Sequence, residues 1–426
     1  MTHASAVRGG RAFFGWYIVG AAFTIFFLTF GFMYSFSVIA KPIADAIHYD
    51  VEGVSTLFSL SFTVYLLAGV PAGFLVDRIG ARIVIAVGGF LTGFGIILAS
   101  QATTNLQISL AFGLAVGLGL ACLYVPATNV VQAWFVRGRG YATGITVLGF
   151  ATGNLVIGPL IAESIIRFGV RPTLAAYGAI LMVVIPVLSL VMVGKPEDLG
   201  LYPDGDSDPS PLLAEEQAGM PLSQATHTRP FWHLYLAIFV ASFAIYLPFV
   251  HLGTSALKTG ASPLMAGFVV AMLGLGGIFG RLVLGRASDR IRPRHGLLFS
   301  FLGLAASMVI WYRSPNPLGL AVFALVYGFF YTWSSAAEPP VIVDYFGEKH
   351  SGAIMGMIFT SAAAGSLLGP TIGGEIVDRT GSYDAALVTG AILFVVSALS
   401  MLTVPDPPDF TPAKRRRQVR LRAPRL

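Results

Sequence analysis

Twelve apolar runs, each close to the length that crosses a bilayer, decide what this chain can fold into. They lie near residues 14–37, 53–76, 82–100, 106–134, 140–165 and 171–194, then near 231–252, 263–286, 296–312, 317–338, 351–376 and 383–404. A spanning helix needs about 20 apolar residues. Lipid offers no partner for a backbone N–H or C=O, and a helix satisfies both internally. Composition removes the alternative of a large soluble core: only 11% of the residues are charged and 55% are hydrophobic, whereas soluble domains carry roughly 25% charged residues. The expected class is an all-α integral membrane protein with twelve transmembrane helices. The first run is too long for the apolar core of a signal peptide and reads as a span.

An even number of spans places both termini on one side. Arg78, Arg82, Arg137, Arg139, Arg286, Arg290, Arg292 and Arg294 fall in the loops of that side, as does the basic tail from Lys414 to Arg425. The opposite loops hold few cations, and the positive-inside rule then makes both termini cytoplasmic in a cell membrane (inner or plasma). A basic tail beside membrane spans marks that side and does not imply a nucleic-acid partner. The stretch "GKPEDLGLYPDGDSDPSP", rich in Pro and Asp, reads as part of a cytoplasmic linker. The expected division is 1–194, a six-helix half; 195–230, the linker; 231–404, a second six-helix half; and 405–426, the tail.

The halves repeat one another. "GFLVDRIGAR" and "GRASDRIRPR" share Gly73, Asp77, Arg78 and Arg82 with Gly285, Asp289, Arg290 and Arg294, each 212 residues on. "GNLVIGP" at Gly153 is echoed by "GSLLGP" at Gly365, again 212 residues later. Two parallel repeats of six helices point to a transporter with its site between them. Enzyme signatures are missing: there is no HExxH, no Walker loop and no Ser–His–Asp order, so neither catalysis nor ATP-driven pumping is expected. The single Cys122 excludes a disulfide framework and a cysteine metal site. No cofactor or metal is expected.

"GFLVDRIGAR" between the second and third spans resembles the signature loop of the major facilitator superfamily. That resemblance implies a charge-relay latch at the cytoplasmic face, built from Asp77, Arg78, Arg82, Asp289, Arg290 and Arg294. A narrower resemblance is to the monocarboxylate porters and oxalate–formate antiporters. It rests on "FFGWYIVGAAF", "WFVRGRGYATGITVLGFATG", "PFVHLG", "PEDLGLYPDG" and an arginine in the eighth span. The pattern also departs from theirs. The porters' first-span lysine aligns with Val38, and their eighth-span aspartate with Gly277. The antiporters' eleventh-span lysine has no equivalent between Ser351 and Glu375.

Arg281 is that eighth-span arginine. It lies about 12 Å inside the cytoplasmic end by helical rise, where a charge costs about 2.5–3.5 kcal/mol or more. Gly274, Gly277 and Gly285 share its face, as on a helix or cavity surface rather than a lipid surface. The repeat-related position is Gly69, so the fold itself does not require an arginine there. A guanidinium stays charged and grips a carboxylate bidentately. Tyr327, Tyr331, Ser335 and Glu338 form one stripe of the tenth span, with Glu338 assigned to gating or coupling. Tyr124 leads a second stripe in the fourth span, with Cys122 and Asn129 nearby. For the tyrosines, helix packing competes with substrate contact. His251 is either a packed residue or, as its match to the porters implies, a substrate ligand and proton carrier. The expected partners are a small lactate- or pyruvate-like monocarboxylate, protons and membrane lipid, with the protein acting as a monomer. Exchange of organic anions in the oxalate–formate manner, or export of a larger organic anion, is the alternative.

Overall fold

The computed structural model describes residues 13–47, 51–135, 139–206, 219–287, 291–347 and 350–407. Asp289 and Arg290 of the expected latch lie outside them. Among the described residues there is no strand, and an isolated antiparallel bridge joins Gly219 to Gly347. The first half comprises α1 (Gly15–Tyr34), α2 (Phe36–Ile47), α3 (Val51–Ile79), α4 (Ala81–Gln101), α5 (Asn105–Ile108), a π-helical stretch Ser109–Val116, α6 (Gly117–Trp134), α7 (Arg139–Phe168) and α8 (Val170–Ser189). After α9 (Leu222–Ala225) come α10 (Arg229–Ile245), α11 (Leu247–Lys258), α12 (Pro263–Ala287), α13 (Pro293–Tyr312), α14 (Pro317–Phe346), α15 (Ser351–Thr380) and α16 (Asp384–Thr403).

Among the described residues, 11 helices or continuous helix pairs are long and apolar enough to cross a membrane. The remaining expected span is α3. Its apolar stretch, Thr56–Gly69, is shorter, but its 29 residues extend about 43 Å. Two spans bend where sequence reading assumed straight helices. Between α1 and α2, the Ser35 hydroxyl donates to the Gly31 carbonyl at 2.8 Å, competing with the backbone ladder. Between α10 and α11, Pro248 removes an N–H just inside α11. Elsewhere the breaks are punctuated as expected: α12, α13 and α14 each begin on a proline, which tolerates the first helical position. Asn316 caps α14 by accepting the Gly319 N–H at 2.9 Å.

Contacts within the two halves follow one plan. Helix α1 packs on α7 as α10 packs on α15, and α4 packs on α8 as α13 packs on α16. The repeated motif explains the first correspondence. Gly153 presses against Gly31 and the Phe27 carbonyl, and Gly365 presses against Ser242. Without a side chain at these points the helices approach backbone to backbone. The halves meet through α7 on α12, α3 on α15 and α2 on α11. In the α7–α12 seam, a Cβ on Gly274 would collide with the Ala151 carbonyl oxygen and would lie 2.6 Å from the Leu155 nitrogen.

At the linker end, Trp134 Nε1 donates to the Val193 carbonyl at 2.8 Å, and the Met220 N–H donates to the Phe346 carbonyl at 2.7 Å. These contacts tie the chain just after α8 to the foot of α6, and the chain just before α9 to the foot of α14. Gly274→Ala is expected to destabilise the protein by about 1–3 kcal/mol, since backbone cannot yield to a new methyl as a side chain can. Gly20→Ala, where a Cβ would meet nothing within 4 Å, is the control. Thermal unfolding in detergent should show a lowered midpoint for the first substitution alone.

Candidate functional site

A cavity of about 140 Å³ lies between the halves. The first half contributes Tyr34 from the end of α1, Tyr65 from α3, Tyr124 from α6 and Asn154 from α7. The second contributes Tyr246 at the α10–α11 bend, Phe249 from α11, Arg281 from α12, and Tyr331 and Glu338 from α14. The bends matter here, because they carry Tyr34 and Tyr246 across the top of the bundle. Tyr34 stacks on Phe249 with ring centres 4.5 Å apart, and its hydroxyl lies 2.9 Å from that of Tyr331. A Cβ on Gly253 would stand 2.5 Å from the Ser37 carbonyl oxygen, so α2 and α11 touch backbone to backbone. This end is packed shut. Towards the linker end, Asn129 and Ser335 are exposed.

Arg281 is half-buried, lines the cavity and makes no ion pair among the described residues. Glu338 also lines it and likewise lacks an ion-pair partner among them. Tyr124 stands within electrostatic range of both. The glycine face expected beside Arg281 is the seam itself: Gly274 meets α7, and a Cβ on Gly277 would lie 2.7 Å from Thr332 Oγ1 and 3.1 Å from Ala151 Cβ. An aspartate at Gly277, as in the family pattern, would press on the Thr332 hydroxyl and the Ala151 methyl.

Of the residues singled out from sequence, Arg281, Tyr331, Tyr124, Ser335 and Glu338 come together at the cavity, whereas His251, Tyr327, Cys122, Asn129 and the latch residues do not. His251 is 2% exposed, with Nε2 lying 2.9 Å from the Pro370 carbonyl oxygen. That contact needs a proton on Nε2 to donate, and the ring is turned edge-on to Tyr383 at 5.8 Å. His251 is a packed histidine holding α11 to α15, outside the cavity lining. Tyr327 donates its hydroxyl to the Ile245 carbonyl at 2.6 Å and stacks beneath Tyr331, so it props a lining ring rather than lining the cavity itself. Cys122 turns towards Gly88 of α4, and Asn129 is exposed outside the lining. At the latch, Asp77 lies in α3 with its side chain outside the described set, and Arg78 and Arg82 are exposed. Arg294 instead ties down the chain after α16, pairing with Asp406 at 3.3 Å and donating to the Val404 carbonyl at 2.9 Å.

Sequence reading missed Tyr34, Tyr65, Tyr246 and Asn154. Asn154 carried a visible signal, as the polar residue inside the repeated "GNLVIGP". Its Oδ1 is buried without a donor among the described residues. The tyrosines carried none, because they sit in helices apolar on every side. His251→Ala is expected to lower the unfolding midpoint while leaving ligand affinity of the folded protein within about threefold, under 1 kcal/mol. A large loss of affinity at unchanged stability would return His251 to the binding site.

Comparison with known proteins agrees with this architecture. The Major Facilitator Superfamily profile matches residues 21–257 and 234–425. Similar relatives include MFS-type transporter 1 of Ophiocordyceps sp. (strain BCC 1869), 26% identical over 400 residues that cover 91% of this chain and 86% of that protein. Monocarboxylate transporter 13 of Bos taurus is 27% identical over 400 residues, covering 92% of this chain and 89% of its own length. The crystal structure of a nucleoside transporter, NupG, superposes with a TM-score of 0.71 at 13% identity, covering 91% of this chain and 99% of that one. At that identity the likeness is one of fold.

Proposed function

We propose that this chain, which belongs to the Major Facilitator Superfamily, is a proton-coupled secondary transporter of a small monocarboxylate. It works by alternating access, with Arg281 holding the carboxylate. The observation that carries this reading is Arg281 itself: a guanidinium in a cavity between two halves, with no ion-pair partner among the described residues. A dry, unpaired charge at that depth is prohibitively costly. Water in the open cavity satisfies it when the site is empty, and a carboxylate does so when the site is loaded. The volume of about 140 Å³ compares with the roughly 150 Å³ of an apolar cavity that accepts benzene, which suits a substrate of a few heavy atoms. A dianion fits less well, because Glu338 in the same lining would repel its second carboxylate.

The resemblance to monocarboxylate transporters supports proton coupling, and the arginines of the linker-side loops support cytoplasmic termini in a cell membrane. The two halves of one chain enclose the whole cavity, which supports a monomer as the working unit. Arg281→Ala is expected to abolish saturable carboxylate binding in protein that still unfolds cooperatively, since breaking such a pair costs about 3–5 kcal/mol. Arg281→Lys should restore it poorly, because an ammonium lacks the planar fork. Calorimetric titration of the purified protein with lactate or pyruvate, followed by uptake into proteoliposomes with and without an inward proton gradient, provides the measurement. Near-normal affinity in Arg281→Ala would sink the reading.

A further inference from the structure

The cavity is lined by an arginine and a glutamate that form no ion pair with each other. Arg281 lies 18 residues beyond the first residue of α12, and Glu338 lies 21 beyond the first residue of α14. Both helices run in the same sense and pack closely along their glycines, with Gly280 of α12 against Phe329 of α14, so Glu338 stands about 10 Å nearer the linker end than Arg281. Among the described residues, neither pairs with the other or with any third group. A structural ion pair in a poorly solvated interior would be closed and hydrogen-bonded. An open one leaves a positive and a negative anchor facing one small space.

A plain monocarboxylate answers only half of that arrangement. It satisfies Arg281, is repelled by Glu338, and leaves the closed cavity with an unmatched negative charge. A ligand carrying both signs satisfies both anchors and keeps the enclosed charge at zero. The surroundings of Glu338 suit a cation for a second reason: Tyr124, Tyr246 and Tyr331 lie within electrostatic range of it. Aromatic faces around a carboxylate attract ammonium groups, quaternary ones included. Asn154 Oδ1, an acceptor in the lining with no donor among the described residues, adds a place for an N–H.

We propose that the substrate is a small ammonium carboxylate, whose carboxylate is held by Arg281 and whose cationic nitrogen is held by Glu338 among the tyrosines. This rests on the carboxylate reading of Arg281 and narrows it to zwitterions.

Two isosteric ligand pairs test it on the purified full-length protein. Alanine and lactate differ by an ammonium in place of a hydroxyl. Glycine betaine and tert-butylacetate differ by a quaternary nitrogen in place of carbon. The wild type should bind the nitrogen-bearing member of at least one pair about tenfold or more tightly, and the favoured pair tells a primary from a quaternary ammonium. Glu338→Gln should erase that preference, and Glu338→Asp should keep its direction. If Glu338→Gln does not fold, the wild-type order within each pair still decides. Equal or tighter binding of lactate and tert-butylacetate overturns the proposal, as does failure to bind either zwitterion. Lactate binding that strengthens on acidification, and loses that dependence in Glu338→Gln, also overturns it and assigns Glu338 a proton instead. Arg281→Ala reports separately: if it spares both members of a pair, the carboxylate reading fails, whatever Glu338 does.

Discussion

A bilayer does not tolerate a charge without a counter-charge or water, and the arrangement around Arg281 follows from that constraint. Its position on α12 faces the space between the halves, not lipid. The cost of placing it there is about 2.5–3.5 kcal/mol by insertion scales and more by other estimates. That cost is met only if α12 is built into an interface that can hold water or ligand. The glycines provide the interface. Gly274, Gly276 and Gly280 let α12 touch α7 and α14 backbone to backbone, and the guanidinium then emerges beyond the last tight contact.

The same economy of side chains leaves the seams between the halves smooth. Seams built on glycine and small residues present smooth surfaces, with few interlocking side chains to extract when one half rocks on the other. The closed end has a different character. Tyr34 and Tyr331 meet through their hydroxyls, Tyr34 stacks on Phe249, and Thr63 Oγ1 lies 3.1 Å from Ser366 Oγ. These are discrete directional contacts between halves, of the kind a two-state closure makes and breaks. Tyr331 belongs both to this closure and to the lining of the cavity. A ligand that takes a hydrogen bond from Tyr331 therefore competes with Tyr34 for it, which links occupancy of the site to the integrity of the closed end.

Span number, order and repeat were legible in the sequence because each depends on run length or on a fixed offset. The depth of Arg281 was legible for the same reason, since rise per residue converts position into height. Rotation was not. A helix that is apolar on every side has no stripe to show which face meets a cavity, so Tyr34, Tyr65 and Tyr246 could not be told from packing residues, and Cys122 was assigned to the wrong face of α6. The bends after Tyr34 and at Tyr246 were hidden too, because a serine hydroxyl turned onto its own helix and a proline near a helix start are common without bending anything. His251 was placed by resemblance to a seventh-span motif. Its partner in the structure is the Pro370 carbonyl, 119 residues away in sequence, and no local pattern announces such a partner.

The acid that the family pattern sets one turn before the arginine is missing, and its absence has a physical sequel. An aspartate at i−4 would pair with Arg281 on its own helix, and the guanidinium would enter every state of the cycle already half-neutralised. Gly277 removes that intrahelical partner, at a point where Thr332 of α14 and Ala151 of α7 lie close to α12. A carboxyl group is present all the same, on α14 in the lining of the same cavity, without an ion pair to Arg281. Moving the negative charge to the neighbouring helix leaves the net charge of the lining unchanged and converts a closed pair into an open one. An open pair can be bridged by a ligand; a closed one must first be broken. The glycine at 277 and the glutamate at 338 thus belong to one arrangement, in which the side of α12 that packs most tightly carries no acid of its own and the arginine one turn on is left without an intrahelical partner.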